Sequence, residues 1–196
     1  KWCNGVSART LHDYRAAIET YVPKPLLRRK LLDLSPSDLQ QLFNEMSERG
    51  LSPSTVRGLR AVLRRALNRA MKNGLVERNV ATLVDLPKPV RKEMRALSPE
   101  EVRRFLRAAE SDRWYALWVL LVTTGLRPGE ALGLKWEDLD GKELRVRRTL
   151  VRIPGQEWSL KETKTRRSRV VALPEMTIRA LEEHGTRQKR ERLEFG

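Results

Sequence analysis

The 196-residue sequence predicts two domains of different class, an all-α helical bundle over residues 1–86 and an α+β domain over residues 97–196 that carries a small antiparallel three-stranded sheet. Three observations predict this. Apolar residues recur with helical spacing as far as Asn73 and Gly74. The segment LPKPVRKEMRALSPE, residues 86–100, is rich in proline and basic residues and lacks apolar periodicity until Leu97, so residues 87–96 read as an exposed linker. Beyond Asp140 the spacing changes to the alternation of half-buried strands.

In the first domain Ser7 caps a helix with Leu11, Tyr14, Ile18 and Tyr21 on one face, and Pro23 and Pro25 end it. Ser35 with Pro36 opens a second helix bearing Leu39, Leu42, Phe43 and Met46, closed by Gly50. Ser52 and Pro53 open a third, which runs to Asn73 and Gly74, and a short fourth helix near Asn79 to Val84 completes a four-helix bundle.

Projected at 100° per residue, the third helix separates into two faces. Val56, Leu59, Leu63, Ala66, Leu67 and Ala70 fall on one side, while Arg57, Arg60, Arg64, Arg65, Asn68 and Lys72 gather on the other. No acidic residue lies between Thr55 and Val76. Solvated helix faces mix signs, because like charges three and four residues apart repel. Contact with a phosphate backbone is therefore the favoured reading over a plain solvated face. Gly58 within it either admits close backbone approach to a ligand or is a tolerated cost of about 1 kcal/mol.

In the second domain Ser98 and Glu101 form a capping box for a helix through Glu110, and Asp112 caps an apolar helix that ends at Gly125. Leu144, Val146, Thr149 and Val151, then a Pro154-Gly155 turn, then Trp158 and Leu160, and then Val170, Val171 and Leu173 read as a three-stranded meander. A basic connection, KETKTRRS, joins its last two strands, and a charged helix from Glu175 to about Leu193 follows.

The most informative stretch is residues 123–140, TTGLRPGEALGLKWEDLD. The run from Trp118 to Val122 is expected to be buried, Gly125 supplies a left-handed helix end, and Pro128 stands where a first helical turn tolerates a missing N–H. Arg127 is thus expected at a buried corner. There its planar fork, beside the amides of the next helix, could meet a phosphate or other oxyanion. From this segment alone a pairing of Arg127 with Glu130, or a role in capping, is an equal alternative.

Charge favours the phosphate. The chain has 40 Lys plus Arg against 25 Asp plus Glu, a net charge of +15. Residues 1–97 carry 19 basic and 9 acidic side chains, net +10, and residues 98–196 carry 21 and 16, net +5. That is the footprint of a nucleic-acid partner. The apolar run near residue 120 is far too short to span a membrane, and no signal-like N-terminus is present, so a cytoplasmic protein without a membrane partner is expected. Cys3 is the only cysteine and His12 and His184 the only histidines, which excludes an intrachain disulfide and a cysteine-based zinc site and argues against a structural metal. His184 reads as an ordinary surface histidine.

Residues 123–140, followed by KETKTRRSRVVALP, resemble the tyrosine recombinases, specifically the phage-type and transposon-type integrases. SARTLHDYRAAIETYV and LSPSTVRGLRAVLRRALNRAMKNGLVERNVA resemble the first and the last long helix of that family's core-binding domain, which has a SAM-like fold. The resemblance spans essentially the whole chain and implies site-specific recombination of double-stranded DNA, with other recombinase protomers as partners. It assigns Arg127 to the first catalytic arginine, which contacts the scissile phosphate, and Glu130 to a supporting acidic residue. Lys164 matches the lysine that protonates the leaving 5′ oxygen, and Lys161 is the other candidate. Arg166 and Arg167, in the same connection, are expected to meet DNA.

In that family a tyrosine attacks the phosphodiester to form a 3′ phosphotyrosyl link while arginines stabilise the pentacoordinate phosphate. No metal or nucleotide takes part. The second arginine and the tyrosine follow the hairpin, whereas Tyr14, Tyr21 and Tyr115 all precede Arg127. The expectation is therefore a catalytic domain truncated before the nucleophile and inactive alone. A stand-alone DNA-binding protein that occupies recombination sites without cutting them is the competing reading. An RNA-binding or scaffold protein is disfavoured, since the chain has only 3 Phe and 3 Tyr to stack on bases.

Overall fold

The structure, a computed structural model, describes residues 5–89, 93–162 and 168–195. The chain divides into two compact units between Glu93 and Met94, inside the stretch read as a linker.

The first unit is helical. Helix α1, Ala8–Tyr21, starts where the Ser7 side chain accepts the Thr10 amide, and a short α2, Lys24–Leu27, follows the Pro23 turn. Helix α3, Pro36–Glu48, opens on a capping box in which Ser35 and Asp38 each accept the other's backbone N–H. Those bonds, strongest from the Ser35 backbone, hold the Asp38 carboxyl down at about 2. Helix α4, Pro53–Lys72, is capped by Ser52. Leu39, Leu42, Phe43 and Met46 of α3 meet Val56, Leu59 and Leu67 of α4 in one core, with Leu26 and Leu34 packed at its edge. The apolar face of α4 also includes Val62, which is buried, while Leu63 and Ala66 stand at its margin.

The expected fourth helix is instead a single 3-10 turn, Val80–Thr82. The reason lies in its neighbours. Asn79 caps the turn and donates to the Arg64 carbonyl and to Asn68 Oδ1, while Arg60 Nε donates to the Ala81 carbonyl. With these groups satisfied by α4, Val80, Ala81 and Val84 plug the core without another helical turn.

The second unit is α+β. Helix α5, Pro99–Ala108, carries the Ser98–Glu101 capping box, and α6, Tyr115–Thr124, follows a turn in which Asp112 accepts from the Trp114 amide and from Trp118 Nε1. Gly125 ends α6 at φ +63°, a conformation that costs glycine little. Of the run expected to be buried, Val119 and Leu120 are, but Trp118 and Leu121 are half-buried and Val122 is exposed, because the unit covers only part of the helix circumference. Helix α7, Pro128–Leu132, is one short turn and more, and α8, Glu175–Phe195, closes the unit against α6.

The strands are β1, Leu139–Asp140; β2, Glu143–Val146; β3, Arg148–Val151; β4, Ser159–Glu162; and β5, Arg169–Ala172. The three-stranded antiparallel sheet has the order β1-β2-β5, and β3 and β4 form a separate hairpin. The consecutive meander expected from the sequence is thus corrected. Arg147 interrupts what reads as one strand, so β2 pairs with β5, Leu144 opposite Val171, while β3 pairs with β4, Thr149 opposite Lys161. Leu144 and Val146 point into the core from alternate positions of β2. Among the described residues no helix is long and apolar enough to cross a membrane.

Candidate functional site

Arg127 is the residue immediately before α7, with an extended backbone that turns into the helix at Pro128. Its neighbours position it closely. Glycines at 129 and 133 let α7 lie directly on β3: a Cβ at Gly129 would come 2.7 Å from Thr149 Oγ1 and 3.0 Å from the Leu150 carbonyl, and one at Gly133 would come 3.0 Å from the Leu150 nitrogen. No larger residue fits there without displacing backbone.

The buried member of this corner is Glu130, not Arg127. The Arg127 side chain is 77% exposed and that of Glu130 only 4%. Glu130 Oε2 accepts the Arg127 backbone N–H at 3.0 Å, and Oε1 accepts from Arg127 Nη1 at 3.1 Å. From β5, Arg169 reaches the same carboxylate, Nη1 to Oε1 at 3.1 Å and Nη2 to Oε2 at 2.7 Å. This two-pronged contact from Arg169, reinforced by the Arg127 amide and side chain, outweighs burial and lowers the Glu130 carboxyl to about 2. The Arg169 guanidinium is shifted upward in turn by Glu130. The pairing alternative and the exposed guanidinium therefore coexist, because Arg127 contributes a single Nη donor to Glu130 and turns the rest of its side chain to solvent. At the start of α7, Pro128 has no amide N–H, and those of Glu130 and Ala131 bond to the Arg127 carbonyl.

A second buried carboxylate, Asp138, follows α7. Asp138 accepts from the Lys135 amide at 2.9 Å and from Arg148 Nη2 at 2.8 Å. Burial pushes its carboxyl up, but these donors prevail and hold it below the usual range. Arg148 is the first residue of β3, so this pair ties the turn after α7 to the strand on which α7 rests.

The hairpin lysines separate. Lys161 is exposed on β4, opposite Thr149, whose side chain touches the Gly129 position. Lys164, Arg166 and Arg167 lie outside the described residues. In the first unit Arg57, Arg64, Arg65, Asn68 and Lys72 are exposed on α4, and Arg60 is half-buried by its bonds to the turn after α4. A polar groove lined by Tyr14, Arg64, Arg65, Asn68, Arg69 and Lys72 runs between α1 and α4. His184 is half-buried rather than a surface residue: Arg187 Nη2 lies 3.0 Å from its Nδ1, its ring faces Trp136, and burial lowers its proton affinity.

Arg169, Asp138 and Arg148 escaped the sequence reading. Arg169 is 39 residues from its partner, and no local spacing signals such a pair. Among the described residues no group of His, Cys, Asp or Glu could hold a metal ion.

A tyrosine recombinase XerC-like protein of Caldanaerobacter subterraneus subsp. tengcongensis is 30% identical over 205 residues, covering 95% of this chain and 52% of that protein. An integrase of Streptomyces ambofaciens is 31% identical, covering 98% of this chain and 51% of its own. The chain thus spans about half the length of the curated relatives it matches. In fold it is similar to the Tn1549 transposon integrase solved with a circular intermediate DNA, with a TM-score of 0.79 at 23% identity over 92% of this chain and 60% of that one. A lambda integrase dimer bound to a core site gives a TM-score of 0.63 at 20% identity, covering 87% and 44%. The pattern of the phage integrase family matches residues 95–194, just over half of the chain and the whole of the Arg127 corner, and the chain belongs to that family, the tyrosine recombinases.

Proposed function

We propose that this chain supplies the DNA-binding half and the first part of the active site of a site-specific DNA recombinase that cleaves and rejoins strands through a 3′ phosphotyrosyl intermediate. The observation that carries this reading is the Glu130 corner, where a buried, ionised carboxylate holds an exposed guanidinium at one fixed place. A guanidinium so placed is suited to the charge that develops on a phosphate in the transition state, where preorganised donors act most strongly. Arg127 contacts the scissile phosphate in this account, Glu130 orients it, and a hairpin lysine releases the 5′ oxygen. Lys164 is assigned to that last step and Lys161 is the alternative.

Residues 1–86 and 97–196 act as the two DNA-binding domains, joined by residues 87–96. The cations of α4, with Arg166 and Arg167 of the hairpin connection, meet the backbone of double-stranded DNA. By likeness to the lambda integrase, solved as a dimer on a core site and as a tetramer on a Holliday junction, further protomers assemble on the same DNA. Tyr14, Tyr21 and Tyr115 all precede the Arg127 corner, and none of them is assigned as the nucleophile.

Residues 1–196 mixed with duplex DNA are expected to shift its mobility with a log-log salt slope of about −0.9 per neutralised phosphate and to leave no covalent adduct on a denaturing gel. In the full-length recombinase Arg127→Ala should abolish most cleavage while binding persists. A 5′ phosphorothiolate bridge, whose sulfur leaves without a proton, should rescue Lys164→Ala. Salt-independent binding, or an adduct formed by residues 1–196, would sink the reading; rescue of Lys161→Ala instead would reassign the lysine.

A further inference from the structure

The Glu130 carboxylate has two guanidinium partners of different kinds, and the difference points to a role for Arg169. Arg169 uses both terminal nitrogens on Glu130, one to each oxygen, from a side chain 41% exposed. Arg127 uses one terminal nitrogen, on one oxygen, from a side chain 77% exposed. One carboxylate and two guanidiniums leave a net charge of +1 on the cluster.

We propose that Arg169 is a positioning residue for Arg127: by neutralising Glu130 from β5, it lets Glu130 orient Arg127 without cancelling its charge. The inference rests on the reading of Arg127 as a phosphate contact.

A buried carboxylate that faced Arg127 alone would form a closed, neutral ion pair, and a two-pronged arginine–carboxylate contact is the strongest form of that pair. Arg127 would then turn more of its donors inward, and an incoming phosphate would compete with Glu130 for them. With Arg169 seated across both carboxylate oxygens, that geometry is already taken. Glu130 retains one lone-pair direction for Arg127 Nη1 and one for the Arg127 amide. The backbone delivers this arrangement from two directions. Glu130 lies in α7, which the glycines at 129 and 133 seat on β3, and Arg169 is the first residue of β5, paired with Val146 in the other sheet. The clamp therefore also links the helix to β5, the strand that follows β4 in the chain.

The test follows the Arg127 Nε–H resonance in the 15N-labelled chain during titration with inorganic phosphate. In the wild-type chain the resonance is expected to move and saturate. Arg169→Gln should weaken that apparent affinity by about fivefold or more, in keeping with loss of one partly exposed ion-pair partner. Arg169→Lys, which keeps the charge but cannot span both carboxylate oxygens, should fall between wild type and Arg169→Gln. In a Glu130→Gln background, where no carboxylate needs neutralising, adding Arg169→Gln should change the affinity by less than about twofold.

A wild-type resonance that phosphate leaves unmoved overturns the phosphate-contact reading and this proposal together. A wild-type response that Arg169→Gln leaves intact overturns the positioning role while the reading of Arg127 stands. A fivefold loss that persists in the Glu130→Gln background overturns it differently, by showing that Arg169 meets the phosphate itself. The double variant keeps the question decidable if Arg169→Gln alone does not fold: a double variant about fivefold weaker than Glu130→Gln would overturn the proposal, and one within about twofold of it would support it.

Discussion

In the first unit the charges stand outside the core, and Asn79 is the one buried polar side chain among its described residues; in the second, Glu130 and Asp138 are buried and each is held by arginines from distant strands. The exposed cations of α4 have a matching feature. Among the described residues none of Arg57, Arg64, Arg65, Arg69 or Lys72 takes part in an ion pair, whereas Arg148 and Arg169 do. One net positive charge is thus deployed in two different ways. Unpaired surface cations attract a polyanion diffusely, and their effect is screened by salt. Buried carboxylates instead fix a few guanidiniums in place, where geometry matters more than their number.

The largest effect expected from this contrast is on the apolar core. Phe43, 1% exposed, anchors α3 on α4, and Phe43→Ala should destabilise the first unit by about 3–5 kcal/mol. Hydrogen exchange of the α4 amides would read the loss. Four of the five tryptophans, Trp114, Trp118, Trp136 and Trp158, lie in the second unit, so with Trp2 replaced by phenylalanine a tryptophan unfolding transition that moved equally would show that the two units do not unfold independently.

Acid should act in the opposite place. The Glu130 carboxyl falls from an ordinary 4.5 to about 2 on folding, chiefly through Arg169. Its contribution, on the order of 3 kcal/mol, is complete above about pH 4.5 and disappears as the pH falls toward 2. The sign follows from the unfolded chain binding the proton more tightly. A 13C titration of the Glu130 carboxyl checks the shift, and Glu130→Gln should remove that part of the acid sensitivity. A midpoint near 4.5 in the folded protein would mean that the clamp does not form.

A smaller loss is expected where α7 meets β3. Gly133→Ala would bring a methyl group to 3.0 Å from the Leu150 nitrogen and 3.1 Å from the Thr149 Cα, both backbone, so the helix must lift. A cost of about 1–3 kcal/mol is expected, accompanied by altered Arg127 and Arg169 side-chain resonances. Unchanged resonances would show that the corner tolerates the shift and that the glycines do not position it.

The smallest effect on stability, and the sharpest separation from binding, belongs to the cationic face. Arg57→Ala, Arg64→Ala and Lys72→Ala combined should move the unfolding free energy by no more than about 0.5 kcal/mol per site while lowering DNA affinity and flattening its salt slope. Arg60→Ala should behave differently, because its Nε bonds the Ala81 carbonyl and its loss frees a buried acceptor. If Arg60→Ala were as harmless as the triple change, the bracing of the turn after α4 would be unimportant.

Periodicity and local chemistry alone determined a good deal of this protein. The caps at Ser7, Ser35, Ser52 and Ser98, the helix end at Gly125, the apolar and cationic faces of α4, and the one-turn spacing of Arg127 and Glu130 all depend on residues within a few positions of one another. Such features are visible in a sequence because a helix repeats every 3.6 residues whatever packs against it. Tertiary structure decided the rest. Only packing could show that Glu130 is the buried member of its corner, that Asn79 and Arg60 stop the last element of the first unit at one turn, and that a break at Arg147 gives two sheets rather than a meander. Arg169 is the clearest case. Its two-pronged hold on Glu130 spans 39 residues and two separate elements, and the sign, reach and exposure of such a pair are set by where strands and helices meet, which no local run of residues encodes.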